Sequence, residues 1–215
     1  MPWRNMVIGA LILGLFSIVG TGLVALTFQG TAARIAENER QTLLHTLHQL
    51  VSPTEHDNDI YTDLITVTDK ELLGSAHSIN VYRARMGGHP VAAVLAANAP
   101  DGYSGSIKLL VGIRYDGTLA GVRVLSHRET PGLGDGIEAE RSDWIQEFTG
   151  HSLLNPEATG WKVKKDGGQF DQFTGATITP RAVVKAVYNT LRYYQQHREA
   201  LFDDGVSAST DMENK

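Results

Sequence analysis

The sequence predicts an α+β domain that follows a single N-terminal transmembrane helix. Three observations carry this prediction. Residues 6–28 contain no charged side chain, several aliphatic and β-branched segments bounded by turn residues follow in the middle of the chain, and residues 179–202 show the periodicity of a long helix. The 215 residues are 42% hydrophobic and 20% charged, which is the composition of one globular domain with an appendage.

The uncharged run from Met6 to Phe28 is long enough to cross a membrane. At ~1.5 Å per residue it extends over about 35 Å, and the hydrocarbon core of a bilayer measures ~30 Å. The alternative is a cleaved signal peptide with Arg4 in its basic region, but such peptides have apolar regions of roughly 7–15 residues followed by a small-residue cleavage site, which Val24-Ala25-Leu26 fits poorly. We therefore interpret residues 1–29 as a short stub and a retained anchor.

The flanking charges favour a large domain outside the cytoplasm. Arg4 precedes the span, and Arg34 and Arg40 follow it, so the bias in basic residues is small. A short N-terminal stub inside and the main domain outside is the simpler arrangement.

Residues 30–53 predict a stalk helix between the span and the domain. Pro53 ends the helical pattern. His45 and His48 lie three residues apart, but no third ligand is evident, so they do not predict a metal site. The apolar positions fall on one helical face: Leu43, Leu44, Leu47, Leu50 and Val51.

Residues 54–204 predict the folded α+β body. Asp116-Gly117 separates two of the predicted strands and is a strong signal for a two-residue hairpin turn. Residues 205–215 are polar and predicted to be disordered. The predicted strands lie near residues 79–85, 91–97, 107–115 and 119–126, and the predicted helices cover residues 138–149, with Trp144, Ile145 and Phe148 on one face, and residues 179–202, which bury Val183, Val184, Val187 and Leu191.

Composition excludes several kinds of chemistry. The chain has no cysteine, which removes disulfides, thiol catalysis, thiolate-held iron–sulfur clusters and the CxxCH attachment of haem. The net charge of −5 gives no basic surface for nucleic acid. An electron carrier in this chain is therefore expected to be organic.

The stretch Asp171 to Pro180, DQFTGATITP, places three threonines directly before a helical pattern. Thr179 precedes Pro180, and proline is favoured at the first helical position, so Thr179 is predicted as the N-cap. A helix N-terminus offers free N–H groups and a partial positive charge to a phosphate, and Gly175 with Ala176 permits close approach to the backbone. By itself this stretch is most simply a turn followed by a capped helix.

A second stretch, SHRETPGLGD at residues 126–135, follows a predicted strand. Its glycines stand at the wrong spacing for GxGxxG, and no capped helix follows at once, so a dinucleotide-binding loop is excluded. His127 and Glu129 could form an acid–base pair, although residues two apart at a strand end are more often polar neighbours. A loop that holds a flat ligand fits better, with Thr130, Gly132, Leu133 and Gly134 against it.

Together these stretches resemble a known family. The pattern Asp-x-x-Thr-Gly-Ala-Thr-x-Thr is similar to the flavinylation motif of FMN-binding domains in bacterial membrane redox complexes. The stretches ETPGLG at 129–134, GYSG at 102–105 and VKKDGG at 163–168 also resemble that family. The chain is most similar to the G subunit of the Rnf/Rsx ion-translocating electron-transport complexes. The related C subunit of the sodium-pumping NADH:quinone reductase is a longer chain.

The resemblance implies one extracytoplasmic domain that carries covalent FMN. In that family the last hydroxyl of the motif, here Thr179, forms a phosphoester with FMN, and the protein has no catalytic residues of its own. Asp171 is implied to act in flavin transfer. The implied cofactor-binding residues are Thr174, Gly175, Ala176 and Thr177 in the motif, Thr130, Gly132, Leu133 and Gly134 around the flavin ring, and, as a weaker candidate, Glu129.

The implied function is electron relay by a membrane-anchored flavoprotein. Such complexes couple electron transfer between ferredoxin-type carriers and NAD to ion translocation, and in some cells they also keep a redox sensor reduced. The implied partners are the other subunits and a magnesium-dependent flavin transferase that uses FAD. The implied location is the bacterial inner membrane, with a single span and a periplasmic domain. Two alternatives remain, namely a sensory or adaptor domain that binds FMN without passing electrons and a binding module whose TGAT turn is only a helix cap.

Overall fold

The computed structural model describes residues 2–203. The chain divides into two compact units, one comprising α1 up to His45 and one beginning at Thr46. The predicted disordered tail at residues 205–215 lies outside the described residues. The principal elements are α1 (Pro2–Leu50), β1 (Leu64–Asp69), β2 (Ser75–Met86), β3 (His89–Ala99), β4 (Ile107–Arg114), β5 (Leu119–Ser126) and α2 (Ile178–Phe202), joined after β5 by four short 3₁₀ segments.

The first unit is α1 up to His45, and it contains the uncharged run at residues 6–28. Its large side chains are exposed, among them Leu11 at 68% and Phe16 at 72%, and an 18-residue window reaches a mean hydropathy of 2.4. A contiguous apolar surface of this kind needs apolar surroundings. Among the residues that the structure describes, this is the one helix long and apolar enough to cross a membrane. A signal sequence would have the same properties, so the retained anchor stays a prediction.

The second unit is built on a five-stranded antiparallel sheet in which neighbours along the chain are neighbours in the sheet, from β1 to β5. The four predicted strands are confirmed, and β2 and β3 extend further than predicted. The sequence analysis missed β1. This strand is six residues long and lies at the sheet edge, where only Ile65 is buried, so it lacks the hydrophobic pattern of the central strands.

The predicted hairpin between β4 and β5 is present, but its turn is not the predicted two-residue turn with Asp116 and Gly117 at its centre. The turn spans Arg114 to Gly117, and Gly117 is the third loop residue, in the left-handed conformation. The Arg114 N–H donates to the Thr118 carbonyl over 2.8 Å, and the Gly117 N–H donates to the Arg114 carbonyl over 2.9 Å. Gly117 has a φ of +90°, which glycine adopts without steric cost. The Thr118 hydroxyl and N–H both donate to the Asp116 carboxylate and thereby lower the pKa of Asp116.

Both faces of the sheet are covered. Helix α2 packs on β3 and β4 with Val183, Val184, Val187 and Leu191 buried, as predicted. On the sheet itself, Gly112 and Gly121 are register partners in β4 and β5. A Cβ atom at either glycine would lie 3.1–3.2 Å from the Leu50 side chain, so these glycines leave room for the C-terminal end of α1.

The predicted helix at residues 138–149 is wrong in extent and type. The structure has a 3₁₀ helix from Asp143 to Phe148, preceded by turns. Ser142 is extended, with φ −159° and ψ 162°, and its hydroxyl accepts the Trp144 N–H, so it caps the short helix instead of continuing a longer one. The predicted buried face is correct, because Trp144, Ile145 and Phe148 all lie in the core.

Candidate functional site

Three segments separated in sequence enclose a cleft at the N-terminal end of α2. They are the loop at 102–105, the loop that follows β5, and the TGATIT stretch. The cleft has a volume of about 390 Å³, within the range of roughly 300–1,000 Å³ typical of small-molecule sites. Its lining consists of Tyr103, Glu129, Thr130, Leu133, Gly134, Gly175, Ala176, Thr177, Ile178 and Thr179.

The structure corrects the prediction that Thr179 is the N-cap of α2. The N-cap is Thr177, whose side chain makes no capping hydrogen bond, and Thr179 is the second residue of the helix. Pro180 is the third, a place it can take because the first-turn N–H groups have no intrahelical acceptor. The hydroxyl of Thr179 does not cap the helix because it is directed at another side chain, Glu129.

Thr179 and Glu129 form a buried pair in the wall of the cleft. Their side chains are 1% and 4% exposed, and the Thr179 hydroxyl donates a hydrogen bond to Glu129 Oε2. The other carboxylate oxygen, Glu129 Oε1, accepts the Ser104 N–H over 2.9 Å. Both oxygens of Glu129 thus receive a donor, which a buried carboxylate requires.

The His127 ring holds the backbone of Glu129, not its carboxylate. His127 Nδ1 accepts the Glu129 N–H over 3.0 Å, which makes Nε2 the protonated nitrogen. His127 Nε2 then donates to Glu138 Oε1 over 2.7 Å. The sequence raised an acid–base pair of His127 and Glu129 as one possibility, and in this geometry the ring positions the loop.

The ETPGLG loop is a tight turn. The Thr130 carbonyl accepts the N–H groups of Leu133 and Gly134 over 3.1 and 3.0 Å. Gly132 has a φ of +77°, and its N–H donates to Asp135 Oδ1 over 2.8 Å. This turn presents the side chains of Thr130 and Leu133 to the cleft, whereas Gly132 is not among the lining residues.

Gly134 fits closely against the Thr179–Glu129 pair. A Cβ atom there would lie 2.9 Å from Glu129 Cβ, 3.0 Å from Thr179 Oγ1 and 3.1 Å from Glu129 Oε2. We expect Gly134→Ala to displace the Glu129 side chain and to lower the free energy of unfolding by about 1–3 kcal/mol, the usual cost of overpacking. Urea denaturation of the variant and of the wild-type chain measures this difference in the free energy of unfolding. An unchanged midpoint for Gly134→Ala would show that the pair is loosely packed.

The TGAT turn faces the ETPGLG loop across the cleft. Gly175 has a φ of +82°, and the Ala176 N–H donates to the Phe173 carbonyl over 3.1 Å. A Cβ atom at Gly175 would lie 3.6 Å from Leu133 Cδ2, so the two loops come within contact of each other. Leu133, Gly175 and Ala176 therefore lie together, as the sequence hypothesis required.

Besides Gly132, two predicted site residues lie outside the cleft. Thr174 is exposed, and Asp171 is an ion-pair partner of Lys164, with 2.7 Å between Lys164 Nζ and Asp171 Oδ1. The hydrogen bond with Asp171 raises the pKa of Lys164. The Asp171 carbonyl accepts the indole N–H of Trp144 over 2.8 Å, so the backbone at the start of the motif is fixed while the carboxylate remains 52% exposed.

The VKKDGG stretch supports the motif from outside the cleft. Val163 forms a β-bridge with Phe170, and Asp166 makes a two-point ion pair with Arg181 in α2, with N–O distances of 2.6 and 2.9 Å. This ion pair lowers the pKa of Asp166 and raises the pKa of Arg181. These contacts tie both ends of the threonine-rich stretch to one short segment.

The sequence analysis missed two lining residues, Tyr103 and Ile178. Tyr103 is aromatic and 69% exposed, and Ile178 is aliphatic and 44% exposed; both line the cleft. Tyr103 lies in the GYSG stretch that carried part of the family resemblance, so a signal for it existed. Ile178 occupies an unspecified position of the motif, and no sequence pattern pointed to it.

Comparison with known proteins settles the family. A family model of the FMN-binding domain matches residues 102–192, and a model of the RnfG N-terminal region matches residues 1–50. The chain is 54% identical over 192 residues to the G subunit of the ion-translocating oxidoreductase complex of Pseudoalteromonas atlantica, with 89% of each chain covered. It is 52% identical over 198 residues to the G subunit of the same complex from Pseudomonas aeruginosa, with 92% of each covered.

The chain belongs to the family of G subunits of ion-translocating oxidoreductase complexes. A third member, from Vibrio cholerae, is 49% identical over 191 residues, which covers 89% of this chain and 91% of that one. The structure is also similar to that of the C subunit of the Na⁺-translocating NADH-quinone reductase from Parabacteroides distasonis, with a TM-score of 0.44 and 23% identity over 65% of this chain and 70% of that one. The family resemblance drawn from the sequence is confirmed.

The cleft fits the cofactor that an FMN-binding domain takes. Apolar and small residues line most of it, and none of its described lining residues is Lys or Arg, so a phosphate would rely on the N-terminal end of α2. The N–H groups of Ile178 and Thr179 belong to the first turn, where the helix provides no acceptor. A phosphate group at this end and a flat ring against Leu133 match the donors and surfaces present.

Proposed function

We propose that this chain carries FMN covalently, through a phosphoester between the FMN phosphate and the hydroxyl of Thr179. The observation that carries the proposal is the position of Thr179, which lines the cleft from the first turn of α2. Thr179 is the last residue of the sequence DQFTGATIT, which is similar to the flavinylation motif. The hydroxyl is therefore a tether at a helix end that favours negative charge.

The remaining motif residues have distinct proposed roles. Gly175, Ala176 and Thr177 line the cleft and leave room for the ribityl phosphate, with Thr174 beside them at the surface. Asp171 acts in the transfer step, since its carboxylate is half-exposed outside the cleft and accessible to a second protein. In this proposal the chain positions the cofactor, and the flavin supplies the redox chemistry.

We further propose that the chain relays electrons within a membrane complex. The relatives carry the name of one component of an ion-translocating oxidoreductase complex. Residues 1–29 form a stub and anchor in the bacterial inner membrane, residues 30–53 a stalk, and residues 54–204 a periplasmic FMN-binding domain. Its partners are the other subunits of the complex and a flavin transferase. The complex couples electron transfer between ferredoxin-type carriers and NAD to ion translocation, and also helps to keep a redox sensor reduced.

The side chains of the ETPGLG loop should tune the flavin. Thr130 and Leu133 line the cleft, and hydrogen bonds to a group that gains charge are worth about 1.5–3 kcal/mol. We expect Thr130→Val and Leu133→Ala to keep the covalent label but to shift the reduction potential or the semiquinone yield and to slow turnover. Potentiometric titration measures the reduction potential and the semiquinone yield, and the rate of electron transfer through the complex measures turnover.

Matched controls for this prediction exist elsewhere in the domain. Thr159 and Leu154 are exposed and lie outside the cleft, so Thr159→Val and Leu154→Ala should leave the potential unchanged. Wild-type potential, semiquinone yield and turnover in both loop variants would show that this loop does not contact the ring.

Bleaching of the covalent flavin tests the proposed relay function. Membranes that contain the whole complex are mixed rapidly with NADH or with reduced ferredoxin, and flavin absorbance is followed against membranes with Thr179→Val. Electron relay predicts that part of the loss of flavin absorbance in wild-type membranes comes from the covalent flavin. That part should be missing from membranes with Thr179→Val. A non-redox sensory or adaptor domain predicts a covalent flavin that stays oxidised throughout turnover.

A further inference from the structure

We propose that Glu129 determines which charge state of a flavin the cleft accepts. It disfavours the dianionic phosphate monoester of free FMN and admits a flavin whose ribityl tail is neutral or singly charged. The inference rests on the proposed function, because a phosphoester to the chain is such a singly charged tail. Glu129 is the one carboxylate among the described residues that line the cleft.

The relevant forms of the flavin differ in the charge of the ribityl tail. Riboflavin ends in a hydroxyl and is neutral, whereas a phosphate monoester such as free FMN carries about −1.5 to −2 at neutral pH, because its second pKa is about 6. A phosphodiester lacks that second ionisable group and keeps a single negative charge. Esterification to the chain therefore lowers the negative charge that the cleft must accommodate.

Glu129 is held in the wall of the cleft as a hydrogen-bonded carboxylate. Its Oε1 accepts the Ser104 N–H over 2.9 Å, and its Oε2 accepts the Thr179 hydroxyl. The residue is 4% exposed, so water and salt screen its charge little. Close packing fixes its position, since a Cβ atom at Gly102 or Gly134 would lie 3.1 Å from one of its oxygens.

No cationic side chain in the described lining of the cleft offsets the charge of Glu129. Arg128 precedes Glu129 in the chain, but it is exposed and is not a lining residue. The N-terminal end of α2 contributes the equivalent of about half a positive charge, which suits one negative charge better than two. Three cations of the surrounding segments are each paired with a carboxylate, namely Lys164 with Asp171, Arg181 with Asp166 and Lys185 with Asp101.

This charge selection has a consequence for the cofactor. A free FMN molecule in the cleft would cover the TGAT turn, because Gly175, Ala176 and Thr177 line it. Weak binding of the dianion leaves this turn accessible for attachment. It also makes the covalent bond, and not affinity for free FMN, the means by which the chain retains its flavin.

Equilibrium dialysis with three flavins tests the proposal. Full-length chain without covalent flavin, in detergent at neutral pH, is dialysed against riboflavin, against FMN and against the methyl ester of FMN, which is a phosphodiester. We expect riboflavin to bind about 10-fold more tightly than FMN, because a further charge near a buried carboxylate is poorly screened. The methyl ester should bind more tightly than FMN, since it carries a single charge.

Two matched variants assign the effect to Glu129. Glu129→Gln removes the charge but keeps the shape, an oxygen for the Ser104 N–H and an amide that can donate to the Thr179 hydroxyl. It should tighten the binding of FMN about 10-fold and leave the binding of riboflavin unchanged. Glu157→Gln neutralises an exposed carboxylate outside the cleft and should keep the wild-type ratio of the two affinities.

The outcomes also distinguish this inference from the proposed function. The wild-type chain would overturn it by binding FMN as tightly as riboflavin or by failing to bind riboflavin. Weaker binding of both flavins to Glu129→Gln would also overturn it, because Glu129 would then have a structural role. Covalent flavin on the wild-type chain after co-expression with the transferase would leave the proposed attachment intact in each case. The expected order of affinities without any covalent flavin would instead overturn the attachment alone.

Discussion

Replacement of Thr179 by valine is expected to abolish covalent flavin while the chain stays folded. Valine has nearly the same shape as threonine but no oxygen to bond to phosphorus. The change leaves Glu129 Oε2 without its hydroxyl donor, which should cost about 1–3 kcal/mol. A domain with the usual stability of about 5–15 kcal/mol tolerates that loss. Flavin fluorescence of the denatured band on a gel, together with a melting curve, measures both effects.

Neighbouring hydroxyls provide the controls for this variant. Thr179→Ser keeps an oxygen at the same place and should retain the label. Thr174→Val and Thr177→Val should lower the yield without eliminating the modification, because their hydroxyls are not the tether. Fluorescence that persists on the denatured Thr179→Val band would contradict the prediction.

The second large effect concerns topology. A reporter that is active only in the cytoplasm, fused after Lys215, should be silent, because the domain beyond residue 30 is expected to lie in the periplasm with the flavin transferase. The prediction follows from the apolar, exposed stretch of α1 and from the short basic stub before it. Reporter activity in intact cells, corrected for the amount of fusion protein, measures the orientation.

A complementary reporter and a deletion serve as controls. A reporter that is active only outside the cytoplasm should give signal at the same fusion point. Removal of residues 1–29 with addition of a cleavable export signal should give a soluble domain that is still flavinylated. A strong cytoplasmic signal from the fusion would contradict both the orientation and a periplasmic route of attachment.

Much of the fold was predictable because the central strands are buried and follow clear patterns. The segments that became β2 to β5 carry aliphatic residues that a sheet core requires, and Asp116-Gly117 marks the position of the turn between β4 and β5, though not its type. The errors occurred where tertiary contacts decide the local structure. The edge strand β1 has little to bury, and Ser142 interrupts an otherwise helical pattern by capping a shorter 3₁₀ helix.

Most residues that line the cleft were named from sequence motifs, but their arrangement was not predictable. Thr179 was expected to use its hydroxyl at the helix end, and the structure directs that hydroxyl at Glu129, 50 residues earlier in the chain. Such a contact depends on the loop after β5 meeting the N-terminal end of α2 at the cleft, and no local sequence pattern encodes that meeting. Ile178 lines the cleft because it is the first residue of α2 at that same meeting point.

Tandem mass spectrometry of the proteolytic peptide that contains residues 171–180 locates the flavin on the chain. The full-length chain is produced with and without a co-expressed flavin transferase. It is then digested under conditions that leave phosphoester bonds intact. Attachment at Thr179 predicts a peptide that is heavier by one esterified FMN, only when the transferase is present, with the added mass on Thr179. An FMN mass on Thr174 or Thr177, or a flavin that is released entirely by denaturation, would contradict it.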